Sequence, residues 1–243
     1  MKSTKQHPLS ILSKIIFFWL IATTTLSAQA EQFSKERPTT ILPRQGFTGH
    51  VVLGLARFSG DIAAYLPQNQ FIFGVQCGYI YKNVVATAAF YGTGDYDLKQ
   101  NFELKGRTWG SESGVGVFPL QLSLGYQFAF AKHWLATPFI SYNNTVLEIN
   151  ERLVGDKYYD TPIVKLESQN FSGGVNIDWV FHNSFLPPMK SKNKEWHVLT
   201  ALRTRIEYSP NFSLTYNQGV LKSTILNVSV GFTTTVGRNR SSL

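Results

Sequence analysis

The chain holds a single cysteine, Cys77, so it has no internal disulfide and no thiol cluster to bind a metal. Charge is scarce too: Asp, Glu, Lys and Arg make up 16% of the residues, where a water-soluble domain carries about 25%. No Lys/Arg block interleaved with aromatics occurs, which excludes the usual footprint of a nucleic-acid binder. Beyond the first thirty residues no apolar run reaches the ~18 residues of a membrane-crossing helix, and no segment has convincing amphipathic-helix spacing. Low charge without helices, disulfides or a long apolar run demands an unusual solvent for the folded chain.

What is present begins with an export signal over residues 1–30. Lys2, Lys5 and Lys14 give a positive start, Ile15 to Ala22 form an apolar run, and Ala28-Gln29-Ala30 is a small-residue cleavage site. That run is shorter than the ~20 residues needed to span a bilayer. Without the three signal lysines the chain has 20 basic and 15 acidic residues, a mild excess spread along its length. Residues 31–47, with Pro38 and Pro43, read as an irregular periplasmic lead-in.

From 48 to 237 the pattern is period-two alternation, the mark of strands. Phe71, Phe73, Val75, Cys77, Tyr79 and Tyr81 oppose Gly74, Gln76 and Gly78. Leu120, Leu122, Leu124, Tyr126, Phe128 and Phe130 oppose Gln121, Ser123, Gly125 and Gln127. Residues 169–181 and 223–237 repeat the pattern clearly, and 49–60, 84–94, 134–144 and 195–208 complete eight segments. Connections alternate between long (60–70, 95–113, 145–165, 209–222) and short, such as Lys82-Asn83; residues 182–195, with Pro187-Pro188, are the exception. These features predict an all-β fold, an antiparallel up-and-down barrel of eight strands.

Alternation fits a soluble barrel or a transmembrane one, and three observations select lipid. The polar faces are Gly, Ser, Ala, Thr, Asn and Gln rather than the Lys and Glu of a solvated face. The segments match the ~9–11 tilted residues that cross a bilayer. Tyr79, Tyr81, Phe128, Phe130, Trp134, Trp179, Phe181 and Trp196 gather near the short-turn end, as ring systems do at a lipid–water boundary.

The signal peptide, LQLSLGYQFAF and the final strand ILNVSVGFTTTV resemble those of small bacterial outer-membrane β-barrels, the eight-stranded OmpA-type and broader porin-family barrels. The resemblance is architectural and covers about 48 to 237. It implies an outer-membrane location, lipid as the first partner, and an extracellular ligand or protein met by the long loops. The family usually ends on an aromatic residue; here Phe232 is followed by the tail TTTVGRNRSSL, residues 238–243 lying beyond the barrel.

Site chemistry is sparse. Asp178, Arg203, Arg205 and Glu207 share inward parity and form a candidate lumenal charge cluster, with a structural salt-bridge network as its default role and ion selectivity as the alternative. His50, His133, His182 and His197 fall at the short-turn end, in or beside the turns, away from the long loops where outward-facing chemistry would sit. No catalytic, cofactor-binding or metal-ligating residue is assigned, and the chain is read as a non-enzyme. Its expected work is surface binding, adhesion or envelope integrity, with Tyr96, Phe102, Trp109, Tyr158 and Tyr159 as exposed loop aromatics. The alternatives are a small porin or solute channel, which needs either ten or more strands, with an extra hairpin within 95–113, or an unplugged lumen, and a lipid-modifying enzyme. A barrel resists detergent until heated, so unboiled and boiled protein will differ in gel mobility; identical mobility together with release into the soluble fraction would end the membrane reading.

Overall fold

A computed structural model describes residues 42–104, 107–111, 113–150, 164–186, 194–216 and 219–240. The signal peptide, most of the lead-in, Tyr158, Tyr159 and the last three residues lie outside them. The strands are β1 (Gln45–Gly60), β2 (Asn69–Tyr81), β3 (Val84–Thr93), β4 (Tyr96–Asp97), β5 (Phe102–Leu104), β6 (Arg107–Trp109), β7 (Gly114–Tyr126), β8 (Phe128–Ala131), β9 (Trp134–Asn150), β10 (Val164–Leu186), β11 (Lys194–Tyr216) and β12 (Gly219–Arg240). A single 3-10 turn, Asp61–Ala64, follows β1.

Eight strands form the wall, in the order β1-β2-β3-β7-β9-β10-β11-β12, and β12 returns to β1 through sixteen antiparallel partner pairs from Gln45↔Arg238 to Gly60↔Ser223. The ring is therefore closed and up-and-down. Short β8 pairs with the start of β9, and β4 pairs with the start of β7. The extra hairpin within 95–113 that a ten-stranded channel would need exists as β5–β6, but it forms its own two-stranded sheet and does not enter the wall. The Lys82-Asn83 turn holds both residues at positive φ (47° and 72°), the backbone of a two-residue hairpin whose twist matches its strands.

Along the middle of the wall the outward residues are apolar and the inward ones small or polar. Leu122 is 57% exposed and Phe232 63%, while Gln121 and Thr233 on the inner face are buried. Thirty large apolar side chains are exposed among the described residues, far beyond what a soluble monomer leaves to water. The fold is a transmembrane β-barrel.

The chemistry reverses at the outer end. Outward positions become polar at matching levels around the ring, Arg57 opposite Asn69 and Asn144 opposite Gln169, and Lys165 pairs with Glu148 at 2.7 Å on the outside. At these heights the inward positions turn apolar. Phe58, Leu147, Ile149, Leu166, Phe212 and Leu214 pack with Ile62 and Leu66 of the connection after β1 and with Leu98, Phe102 and Trp109. The parity of the strands is unbroken; what changes is the solvent outside.

Two expectations need correction here. Residues 209–222 are not a long loop: β11 runs to Tyr216, β12 starts at Gly219, and their ladder shifts register between Ser209 and Phe212. Pro210, which cannot donate to a ladder, sits in that irregularity and interrupts the alternation in the sequence. Phe102 and Trp109 are not exposed either, at 3% and 2%; they fill the outer end of the lumen. The ladder between β10 and β11 also starts only at Gly173↔Tyr208, so among the described residues Val164–Ser172 pairs with β9 alone. Among those residues a seam without ladder pairs thus opens toward the outer end.

Leu122 lies mid-band and Gln169 above it. Leu122→Arg will cost about 2–4 kcal/mol in denaturant unfolding from lipid vesicles, and Gln169→Arg no more than about 1 kcal/mol.

Candidate functional site

The residues singled out for charge do converge in the lumen. The β10–β11 register puts Asp178 directly opposite Arg203. The guanidinium grips the carboxylate with two parallel bonds, Nε to Oδ1 at 2.7 Å and Nη2 to Oδ2 at 2.8 Å. Arg205 and Glu207, two apart and so on one face, form the second pair: Nε and Nη2 donate to Oε2 at 3.1 and 3.0 Å. All four side chains are buried.

The second pair is further partnered, as burial requires. Arg205 donates through Nη2 to Gln121 Oε1 at 2.6 Å and through Nη1 to Asn176 Oδ1 at 3.4 Å, and its guanidinium carbon lies 3.8 Å from the centre of the Phe139 ring. Glu207 Oε1 accepts from Gln121 Nε2 at 2.5 Å and from the Ser172 hydroxyl. Gln121 Nε2 also donates to Asn143 Oδ1 at 2.7 Å, and Asn143 Nδ2 to Ser172 Oγ at 2.8 Å. The network thus ties β7, β9, β10 and β11 across the lumen. Sequence parity found the four charges but not Asn143, Ser172, Asn176 and Phe139. Their inward parity was visible, but the stagger that brings them to one height was not.

Small inward residues make the room. A Cβ on Gly174 would lie 2.7 Å from the Phe139 ring and 2.2 Å from the Ile206 carbonyl oxygen, and one on Gly231 would lie 1.8 Å from the Val51 oxygen. A cavity of about 40 Å³ remains between this belt and the outer apolar cluster, lined by Tyr91, Gln121, Asn143, Asn170, Arg205 and Glu207 among others. That is space for a few water molecules. At the opposite end Leu135, Val180, Leu199 and Ala201 pack together on the inner face of β9–β11, with Leu42 of the lead-in against them. The lumen thus holds an apolar cluster at the outer end, then the charged belt, and toward the short turns a smaller apolar cluster beside buried Thr48, Thr87, Thr137 and Thr235. The expectation of a polar lumen fails at the outer end.

The four histidines differ in burial. His133 and His182 are exposed near the short-turn end, whereas His50 and His197 are buried inside the barrel. His50 Nδ1 donates to the Phe232 carbonyl at 2.9 Å, and His197 Nε2 bonds to the Asn183 side-chain oxygen. Among the described residues no group of three or more His, Cys, Asp or Glu converges on a point. Of the short-turn aromatics, Tyr79, Tyr81, Phe130, Trp134, Trp179, Phe181 and Trp196 are exposed on the outer face and Phe128 is half-buried. Phe130 stacks near Trp134, and Trp179 near Phe181. Of the outer-end aromatics Tyr96 is partly exposed, and its hydroxyl accepts from the Phe71 amide at 2.6 Å.

No family model and no curated protein matches this chain. Among solved structures it is similar to Neisserial surface protein A (10% identity, 77% of this chain and 95% of that one, TM-score 0.49). It is also similar to Ail, the attachment invasion locus protein of Yersinia pestis, in complex with the heparin analogue sucrose octasulfate (10%, 79% and 99%, TM-score 0.43). A third is the N-terminal β-barrel domain of OprF from Pseudomonas aeruginosa (11%, 76% and 96%, TM-score 0.37). The fold assignment rests on the closed ladder described above, independently of these likenesses.

Arg203→Met strands a buried carboxylate and will destabilise the barrel by about 3–5 kcal/mol, while Arg203→Met with Asp178→Leu will regain most of it. Urea unfolding of both variants checks this, and equal losses would refute the pair's coupling.

Proposed function

We propose that this is an exported outer-membrane barrel with its short turns and both termini in the periplasm. It works at its outer end, in surface binding, adhesion or envelope integrity, and neither conducts nor catalyses. The observation that carries the reading is the stacked lumen. An apolar cluster fills the outer end, two buried ion pairs lie behind it, and a smaller apolar cluster lines β9–β11 toward the short turns. A solute path through the barrel would have to break the outer cluster and the ion pairs.

The outer end is built as a rigid platform. Ile62, Leu66, Leu98, Phe102 and Trp109 root the connections after β1 and β3 in the barrel interior, so their exposed polar parts are held in place before any partner arrives. Such preorganisation lowers the entropic cost of binding. The seam between β10 and β11 adds strand edges that, among the described residues, have no ladder partner on that side, a surface suited to an extended chain. The buried histidines lie toward the other end, each in a hydrogen bond, which supports a role without catalysis.

In planar bilayers the purified barrel will give no steady single-channel steps; steady steps would overturn the closed-lumen reading. An epitope inserted between Gly110 and Ser111, both exposed, will be reached by antibody on intact cells. Labelling only after the outer membrane is permeabilised would reverse the orientation.

A further inference from the structure

The mild basic excess that looks evenly spread along the chain is sorted by the fold. Among the residues whose side chains are described, the short-turn end carries Arg44, Lys82, Lys132 and Arg238 and no carboxylate. Among the same residues the outer end carries six carboxylates and four cations, and the lumen is neutral. The cations also cluster. Gln45 is opposite both Tyr81 and Arg238, and the Lys82 amide donates to the Arg44 carbonyl at 2.8 Å, so Arg44, Lys82 and Arg238 surround the start of β1.

This cluster sits at the edge of the apolar band. Lys82 Nζ lies 5.4 Å from the centre of the Tyr81 ring, and the Arg238 guanidinium 5.9 Å from that of Trp196. Just inside the band, Phe47 packs edge-on against Tyr79 at 5.2 Å, and Phe47 is 70% exposed. Cations over interfacial rings, with an apolar floor directly beside them, match a lipid that has an anionic headgroup and acyl chains. A soluble polyanion would use the charges but leave the floor bare.

We propose that the start of β1, with the ends of β2 and β12, is a binding collar for anionic phospholipid of the periplasmic leaflet. Arg44, Lys82 and Arg238 take the phosphate, and Phe47, Tyr79 and Tyr81 take the upper chain segments. The collar rests on the membrane orientation proposed above and is independent of what the outer end binds. A lipid anchored here would brace the meeting of first and last strands, the joint that closes the ring.

Cys77 supplies the reporter, because it is exposed on the same outer face of β2 as Tyr79 and Tyr81. The full-length barrel carries a fluorophore on Cys77 and is folded into phosphatidylcholine vesicles containing brominated phosphatidylglycerol or brominated phosphatidylcholine. Phosphatidylglycerol will quench at about a fivefold lower mole fraction, a preference that shrinks at about 1 M salt. In Arg44→Gln/Lys82→Gln/Arg238→Gln the two quenchers will become equivalent while the heat-dependent gel shift persists. Should that variant fail to fold, the salt titration of the unsubstituted barrel decides. Equal quenching by both lipids, or a preference that survives the triple substitution or high salt, overturns the proposal. Equal quenching combined with cosedimentation on cell-wall sacculi would assign the cations to a polymer instead. Conductance and surface labelling read the outer end and the lumen, so failure here leaves those results standing.

Discussion

In hydrocarbon a backbone N–H or C=O without a partner has no water to turn to, and each such group costs several kcal/mol. The ladder between β1 and β12, sixteen pairs long, is what discharges that constraint for the first and last strands together. Without it both would present open edges to lipid. The unladdered stretch of the β10–β11 boundary obeys the same rule from the other side. It begins above Gly173 and Tyr208, where the outer face is turning polar and water can serve the backbone instead. Pro210, which has no N–H to satisfy, sits just past that point.

Closing eight strands fixes a narrow interior, and the narrowness dictates its chemistry. An arginine in such a lumen lies beside close backbone contacts such as those at Gly174 and Gly231, where a Cβ would meet a neighbouring carbonyl oxygen. Its charge must then be met inside, because neither lipid nor bulk water is available. Asp178 and Glu207 do this, and Gln121 bridges the second pair to two further strands. The belt is consequently a strut as well as a seal, and its members depend on one another.

The alternation of Leu120 to Tyr126 against Gln121 to Gly125 made the strands legible, and the scarcity of Lys and Glu on the polar face made the solvent legible. Asp178, Arg203, Arg205 and Glu207 were legible as a lumenal set from parity alone. Three things were not. The stagger that levels Asn143 and Ser172 with Glu207 comes from barrel shear, which no single strand encodes. Phe102 and Trp109 lie in a stretch without periodicity, so nothing local separates a ring that packs inward from one that meets solvent. Pro210 and Asn211 look like a loop because the alternation stops, though a bulge absorbs them and the strand continues. The basic collar escaped for a related reason: its cations are far apart along the chain and become neighbours only when the ring closes.

The reversal of chemistry along the wall also sets a ruler. On β1 the outward face is lipid-compatible for only nine residues, Phe47 to Leu55, before Arg57. At the tilt of small barrels that is about 20–25 Å along the membrane normal. A thicker bilayer would drag Arg57 and Asn69 at one rim, or Lys82 and Arg44 at the other, into hydrocarbon, or would have to thin around the molecule. The barrel is thereby matched to a thin membrane, such as the bacterial outer membrane, and poorly matched to a thick, sterol-rich one. Thickness alone would help to sort it to its destination.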